Sequence, residues 1–152
     1  MGLNYTAVDQ DVDVTRRRVG SGTCYLAVDG TGGICGTIVL HAPVAGERPS
    51  HAVLLELQQS RDGAVWLKQP GIAHFGQFAV DPDLQGQGLG ARLLDTVETQ
   101  ARFLNAKEIA LDTAEPAVHL VALYARRGYR HIGFAQWSGK TYRSVIMSKG
   151  LF

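Results

Sequence analysis

The sequence has 152 residues, 45% hydrophobic and 19% charged, which is the size and composition of one folded domain and excludes a disordered chain. Fifteen Lys and Arg against fourteen Asp and Glu leave a net charge of +1, so no broad positive field is available to bind a nucleic acid. No apolar run reaches the roughly 18 residues that span a bilayer, and the first residues lack the apolar centre of a signal peptide. We therefore expect residues 1–152 to form a single cytoplasmic domain that binds neither nucleic acid nor membrane.

The cysteines and histidines give no sign of a metal site. Cys24 and Cys35 are the only cysteines, and their spacing matches neither a metal knuckle nor a CxxC redox motif. Both have apolar neighbours, among which a free cysteine packs like a small hydrophobic side chain. The five histidines are not spaced as ligands. We expect core packing for both cysteines and no bound metal.

The N-terminal half begins with a predicted hairpin. Residues 23–29 and 34–40 are rich in strand formers and are separated by a glycine-rich turn. Before them, the sequence predicts a short strand at 5–8 and part of a helix through the three arginines. Prolines and glycines interrupt 41–70, which predicts an insertion or a long functional loop, with a strand or a helical turn near its middle.

The C-terminal half has a clearer pattern. A strand is predicted at 72–80, followed by a helix in which leucine, valine and alanine recur at helical spacing. Glu98 and Arg102 are four residues apart and predict an ion pair on the outer side of this helix. A strand, a helix and two strands follow, at 108–112, 117–127, 129–137 and 142–147. The order β, β, β, α, β, α, β, β predicts an α/β (α+β) protein with a mixed sheet flanked by helices.

A glycine-rich turn joins the strand at 72–80 to the long helix. Free backbone N–H groups at a helix start, together with the helix dipole, make such a turn an anion site, and glycines let a phosphate come close. A plain turn without a ligand would not need three alternate glycines, which cost helix stability. The turn and the start of the helix comprise Gln85, Gly86, Gln87, Gly88, Leu89, Gly90 and Ala91.

Spacing separates the cofactor classes that use such a turn. A P-loop needs a lysine where the turn closes, and none lies near Gly90. Gly86, Gly88 and Ala91 do match the dinucleotide pattern G-x-G-x-x-A, so a nicotinamide site is a rival interpretation. That pattern requires an acidic residue after the next strand, whereas Glu108 lies before it. The residues therefore favour a different diphosphate ligand.

The chain resembles the GNAT superfamily of acyl-CoA N-acyltransferases. Its signature is Gln or Arg, two residues, Gly, one residue, and Gly or Ala, and Gln85, Gly88 and Gly90 match it after a strand ending in Val-Asp-Pro. Residues 123–129 are similar to the family's Leu-Tyr, three residues, Gly, aromatic motif. The resemblance covers roughly residues 24–147. It implies a mostly antiparallel central sheet and a shortened N-terminal region.

The resemblance implies acetyl-CoA as co-substrate. The backbone of Phe78, Ala79 and Val80 would bind the pantetheine arm, and N–H groups from Gln85 to Ala91 would hold the pyrophosphate. A neutral amine would attack the thioester directly, with a backbone N–H near Val80 stabilising the oxyanion.

Proton transfer is implied less clearly. Tyr124 matches the tyrosine that protonates the departing thiolate in many members, although an aromatic residue filling the gap between helix and sheet would look the same. His74 is one candidate base, because it shares a face with Phe78 and Val80 if the strand has no bulge. Glu115, where a strand meets a helix, is the other candidate. Both also have plain structural interpretations.

The sequence departs from the family pattern in two places. Members often have Asn where Ala117 stands, seven residues before the tyrosine. Only about twenty residues precede the hairpin, where the family places a strand and two helices that wall the acceptor site. The acceptor pocket would then be incomplete, built by 41–70 with Trp66 and His74 in its lining, or completed by a second subunit, which leaves a homodimer open.

Two functions follow from these observations. The first is an N-acetyltransferase that acts on a primary amine of a small molecule or peptide. The alternative is a non-catalytic acyl-CoA-binding sensor or interaction domain, which Ala117 and the short N-terminal region favour.

Overall fold

A computed structural model describes residues 10–60 and 62–152 of the chain. The strand expected at 5–8 lies outside these residues. Within them the sequence forms a mixed α/β structure. Its helices are α1 (Val12–Gly20), α2 (His51–Ser60), α3 (Gly63–Trp66), α4 (Leu89–Phe103) and α5 (Val118–Arg126), and its strands are β1 (Thr23–Val28), β2 (Ile34–His41), β3 (Ile72–Val80), β4 (Glu108–Ala114), β5 (Arg130–Ala135) and β6 (Ser144–Gly150).

The six strands form one sheet in the order β1-β2-β3-β4-β6-β5. Every neighbouring pair is antiparallel except β3 and β4, which are parallel. The parallel pair requires a crossover, and α4 supplies it. The mixed, mostly antiparallel sheet flanked by helices is therefore confirmed.

Two apolar clusters cover the two faces of the sheet. The larger cluster lies under α4 and α5 and includes Leu94 and Val97 of α4. The smaller one lies under the 41–70 segment and includes Leu54 and Trp66. The clusters meet β3 at alternate residues, since Ala73 belongs to the first and Ile72 to the second.

The 41–70 segment holds the two short helices α2 and α3, where the sequence predicted an insertion or a loop. Asp62 caps α3 by accepting hydrogen bonds from the N–H groups of Ala64 and Val65. A Cβ at Gly63 would lie 2.1 Å from the side chain of Ile146, so glycine is what lets α3 pack against β6. Trp66 is 1% exposed in this core, and the hypothesis that it lines an acceptor pocket is wrong.

A bulge in β3 changes the direction of its side chains. Thr37 pairs with Ala79 and Val39 pairs with Gly76, so β3 has one extra residue between these two pairs. Gln77 takes up this residue with a positive φ of 50°. Before the bulge Phe75 faces the larger cluster, and after it Phe78 packs against that same cluster. The sequence pattern gave no sign of this shift.

The predicted ion pair on α4 is wrong. Glu98 is 5% exposed and faces inward, where it accepts hydrogen bonds from the Tyr129 hydroxyl at 3.1 Å and from Lys149 Nζ at 2.7 Å. Arg102 instead donates to the carbonyl oxygen of Leu151. Burying a charged residue on the apolar face is possible because cationic partners reach Glu98 from other elements.

Candidate functional site

Strands β3 and β4 separate after a short stretch of pairing. Their ladder runs from Ile72 paired with Glu108 to His74 paired with Ala110. Beyond that point β3 continues to Val80 and β4 to Ala114, but no pairing joins them. The result is an opening in the sheet whose edges are strands with free backbone groups.

Val80 turns its backbone N–H toward this opening, while its carbonyl oxygen accepts a hydrogen bond from the Gln85 side chain at 3.3 Å. The N–H of Asp81 donates to the carbonyl oxygen of Cys35 at 2.9 Å, so these two residues form a hydrogen-bonded pair. Hydrogen-bonded and non-hydrogen-bonded pairs alternate in an antiparallel ladder. The preceding pair, which contains Val80, is therefore not hydrogen-bonded, and the backbone N–H and C=O of Val80 point away from β2. The Thr37 hydroxyl, which donates to the carbonyl oxygen of Gln77 at 2.8 Å, supports the strand at its bulge.

The glycine turn follows directly after Val80. Gly86 and Gly88 have φ values of 77° and 84°, a conformation that favours glycine, and Cβ atoms there would meet nothing within 4 Å. Gly88 caps α4 with no side-chain hydrogen bond. In the part of the chain that the structure describes, the N–H groups from Gly86 to Ala91 have no acceptor. They form an uncovered donor array at a helix start, next to the opening.

Tyr124 belongs to the larger apolar cluster under α5. It is 5% exposed on α5, and its ring packs against Phe75 and Tyr129 with centroid distances of 6.1 and 5.8 Å. Burial, with a smaller contribution from the charge of Asp112, raises the pKa of Tyr124 to about 12. No described residue hydrogen-bonds its hydroxyl group. The phenol therefore stays protonated at neutral pH and can donate a proton.

Asp112 was not recognised as a site residue from the sequence. It is exposed on β4, two residues beyond the last pair with β3, on the face opposite to the buried Leu111. The indole N–H of Trp137, in the loop between β5 and β6, donates to Asp112 Oδ2 at 3.1 Å. Oδ1 receives no hydrogen bond from a described residue. The signal available in the sequence was a carboxylate at the end of a predicted strand, which is too common to single out.

Glu115 forms an ion pair at the end of β4. Arg143 donates to its two carboxylate oxygens at 3.0 and 2.8 Å, which is a bidentate arrangement. Hydrogen bonding from Arg143 lowers the pKa of Glu115. The same guanidinium lies 4.0 Å from the ring centroid of Phe134. These contacts connect the end of β4 to the segment preceding β6 and leave Glu115 poorly placed to accept a proton.

His74 does not share a face with Phe78 and Val80, because the bulge at Gln77 intervenes. The assumption behind its role as a base therefore fails. Its ring stacks on His41 of β2 at 4.4 Å between centroids. Burial and the neighbouring charge of His41 lower the pKa of His74 to about 4.

No group of three or more His, Cys, Asp or Glu side chains among the described residues is arranged to hold a metal ion. No helix in residues 10–60 and 62–152 is long and apolar enough to cross a membrane.

Comparison with known proteins gives a consistent result. The model of the acetyltransferase (GNAT) family matches residues 5–129. An S-(2-succino)cysteine N-acetyltransferase of Bacillus subtilis is 31% identical over 156 residues, covering 99% of this chain and 80% of that protein. Two solved structures share the fold. An acetyltransferase of Bacillus subtilis in complex with CoA has a TM-score of 0.66 at 20% identity and covers 95% of this chain and 86% of its own. A GNAT family acetyltransferase of Elizabethkingia anophelis with acetyl-CoA bound has a TM-score of 0.65 at 17% identity, with coverages of 99% and 92%.

Proposed function

The chain belongs to the GNAT acetyltransferase family, and we propose that it transfers the acetyl group of acetyl-CoA to a primary amine of a small molecule or peptide. The observation that carries the proposal is the continuity of two features. The opening between β3 and β4 leads into the glycine turn, whose N–H groups from Gly86 to Ala91 have no acceptor among the described residues. One extended ligand with a diphosphate at its end fits both.

Acetyl-CoA would be held mainly by backbone groups. The N–H groups of the turn from Gly86 to Ala91 would bind the diphosphate, assisted by the positive end of the α4 dipole. The N–H of Gln85, which the prediction from the sequence included, already donates to the carbonyl oxygen of Pro82. The pantetheine arm would lie along the backbone of Phe78, Ala79 and Val80. Gly90 lets the start of α4 pack closely against β3, since a Cβ there would lie 3.3 Å from the Phe78 ring.

The transfer itself forms a C–N bond and breaks the C–S bond of the thioester. The N–H of Val80 would stabilise the negative charge that develops on the thioester oxygen during attack by the neutral amine. Tyr124 would give its hydroxyl proton to the departing sulfur. Its raised pKa keeps the proton on the phenol until the thiolate, a stronger base than the thioester, is released.

The amine must lose a proton, and we assign its acceptance to Asp112. Its Oδ1 is free of hydrogen bonds from described residues, while Oδ2 is held by Trp137. By contrast, both oxygens of Glu115 bind Arg143, and the His74 ring is stacked on His41, where burial together with the charge of His41 lowers the pKa of His74 to about 4. The charge of Asp112 also contributes to the raised pKa of Tyr124, which supports a role for both residues in proton transfer.

Release of the coenzyme A thiol tests the proposed function. The purified chain is mixed with acetyl-CoA and each member of an amine panel, and free thiol is followed while mass spectrometry identifies the acetylated amine. We expect amine-dependent release and a product heavier by one acetyl group. Calorimetry with coenzyme A alone should show binding, and its absence would contradict the proposed site.

A second function, an acyl-CoA sensor without turnover, is favoured by one observation. Ala117 stands at the start of α5 with no side-chain hydrogen bond, at the position where family members often have Asn. The sensor predicts that coenzyme A binds with a measurable heat while no amine in the panel releases thiol. The enzyme predicts both binding and release.

A further inference from the structure

An apolar cavity lies between α1 and the sheet, on the face opposite to the larger cluster. Its volume is about 360 Å³, within the usual range for small-molecule sites. Val19 lines it from α1, Cys24 and Leu26 from β1, and Val39 from β2. Its remaining wall is β3 at the bulge, where Ala79 faces it directly before Val80. The cavity therefore adjoins the residues that the proposed function assigns to the thioester.

None of the described residues that line this cavity carries a charge. Thr15, Thr37 and Gln77, its polar members, each make at least one hydrogen bond within the protein. The Thr15 hydroxyl donates to the carbonyl oxygen of Asp11, the Thr37 hydroxyl donates to that of Gln77, and the Gln77 side chain accepts from Gln10. A charged ligand group placed here would lose its water and meet no opposite charge among the described lining residues, which is unfavourable. An uncharged apolar group would only gain contacts.

Asp112 has one carboxylate oxygen that accepts no hydrogen bond from a described residue, and it lies on the same face of the sheet as the cavity. Thr37 and Val39 point to this face because Ile38 and Leu40 point to the other. Asp112 points to it because Leu111 faces the larger cluster. A ligand with one ammonium group at Asp112 and an apolar body in the cavity would thus extend from one side of the opening to the other.

We infer that the acceptor is a monoamine with an uncharged, largely apolar substituent, aromatic or branched aliphatic, and that the cavity under α1 holds this substituent. The inference rests on the proposed acetyl transfer. The inference disfavours a polyamine acceptor, because its second ammonium group would have no charged partner among the described residues that line the cavity. It also disfavours a polyanionic amino acid such as S-(2-succino)cysteine, because its carboxylates would be repelled by Asp112.

Substrate preference is the first test. The probes are 2-phenylethylamine and isopentylamine on one side, and spermine and S-(2-succino)cysteine on the other, each with acetyl-CoA. We expect kcat/KM for the apolar monoamines to exceed that for the charged compounds by about tenfold or more. Preference for spermine or S-(2-succino)cysteine would overturn the inference and leave the acetyltransferase proposal intact.

Filling the cavity is the second test. Cys24→Phe from the sheet side and Val19→Phe from the helix side should each raise KM for 2-phenylethylamine about tenfold, with KM for acetyl-CoA unchanged. Val28→Phe is the matched control, because Val28 is 59% exposed on the same strand as Cys24 and does not line the cavity. Circular dichroism melts verify that each variant is folded. An unchanged KM for 2-phenylethylamine in both folded cavity variants would overturn the assignment. A loss of activity seen only with acyl-CoA donors longer than acetyl-CoA would also overturn it, because the cavity would then hold the acyl chain.

A binding readout does not depend on turnover. Cys24 lines the cavity and is partly exposed, whereas Cys35 is buried with its sulfur 3.3 Å from the carbonyl oxygen of Ala27. Iodoacetamide should therefore modify Cys24 first, and saturating 2-phenylethylamine should slow that modification severalfold while spermine does not. Protection without any thiol release would refute the proposed function but support the cavity as a site. Release without protection would do the reverse.

Discussion

The Trp137 indole donates a hydrogen bond to the Asp112 carboxylate, with 3.1 Å between Nε1 and Oδ2. The two residues belong to different parts of the sheet, β4 and the loop between β5 and β6. The loop therefore fixes the direction of a carboxylate that stands at the mouth of the opening between β3 and β4. In the proposed reaction, Oδ1 is the oxygen that would accept the proton of the amine.

Replacing Asp112 by Asn should lower kcat for acetyl transfer by ~10² or more, since a positioned proton acceptor contributes about that factor. KM for acetyl-CoA should not change. Steady-state kinetics measure both values. Trp137→Phe keeps the ring and removes the N–H, so we expect a smaller loss, roughly tenfold, from poorer orientation. Equal rates for Asp112→Asn and the wild type would remove Asp112 from the mechanism.

Tyr124→Phe should lower kcat by ~10² while coenzyme A binds as before, because the ring remains and only the proton donor is lost. The pKa of about 12 means that the phenol is protonated throughout the range below pH 10. No alkaline decline of the rate below that pH should therefore come from Tyr124. The matched control is Tyr129→Phe, in which the neighbouring buried hydroxyl, bonded to Glu98, is removed. That variant should lose stability and keep kcat.

Gly88→Ala should weaken coenzyme A binding as well as the fold, because an alanine at a φ of 84° strains the turn that aims the N–H groups. Gly32→Ala is a close control. Gly32 has a φ of 85° in the hairpin between β1 and β2, and a Cβ there would also meet nothing within 4 Å. Both variants should lose about 1 kcal/mol in urea unfolding. Calorimetry should show weaker coenzyme A binding for Gly88→Ala only.

Glu98→Gln should destabilise the protein by about 3 kcal/mol, since Lys149 would lose its carboxylate partner in a largely buried site. Urea unfolding measures the change. Asp95→Asn serves as the comparison, because Asp95 also pairs with Arg127 but its side chain is 66% exposed. An exposed pair contributes about 0–1 kcal/mol. Similar losses in the two variants would contradict the buried role of Glu98.

His74 should make the protein less stable in acid. Its folded pKa is about 4, below the ordinary value of 6.5, because burial and His41 disfavour the charged ring. Between these two values the unfolded chain binds more protons than the folded chain, so stability falls as the pH drops from about 6.5 to about 4. The loss is at most about 3 kcal/mol. His74→Gln should flatten this dependence in urea titrations at several pH values, whereas replacing the exposed His119 by Gln should not.

The sequence was sufficient for the parts of the fold that local rules control. Alternate glycines before a periodic apolar run predicted both the turn at Gly88 and helix α4, because the positive φ and the buried stripe each leave a residue pattern. The bulge at Gln77 leaves no such pattern, since a non-glycine residue takes the positive φ and the pairing with β2 imposes it.

Long-range contacts explain the other misses. Asp112 and Trp137 are 25 residues apart, and only the sheet order brings the β5–β6 loop to the end of β4. Glu98 looked like a surface residue because its partner Lys149 comes from β6, fifty-one residues along the chain. The inward position of a charge depends on partners that no local window contains.

The short parallel pairing between β3 and β4 also affects the entropy change of ligand binding. Strands β3 and β4 already diverge beyond the pair His74 and Ala110. An extended ligand would therefore enter an existing gap, and no segment of the chain would have to fold around it. Binding would therefore order few residues of the protein, and the entropy lost on association would be small. The ligand would form the backbone hydrogen bonds that β3 and β4 do not make with each other, as an added strand does. Amide hydrogen exchange along the second half of β3 should consequently slow when coenzyme A is added. Exchange in the paired residues of β3 and β4 should not change.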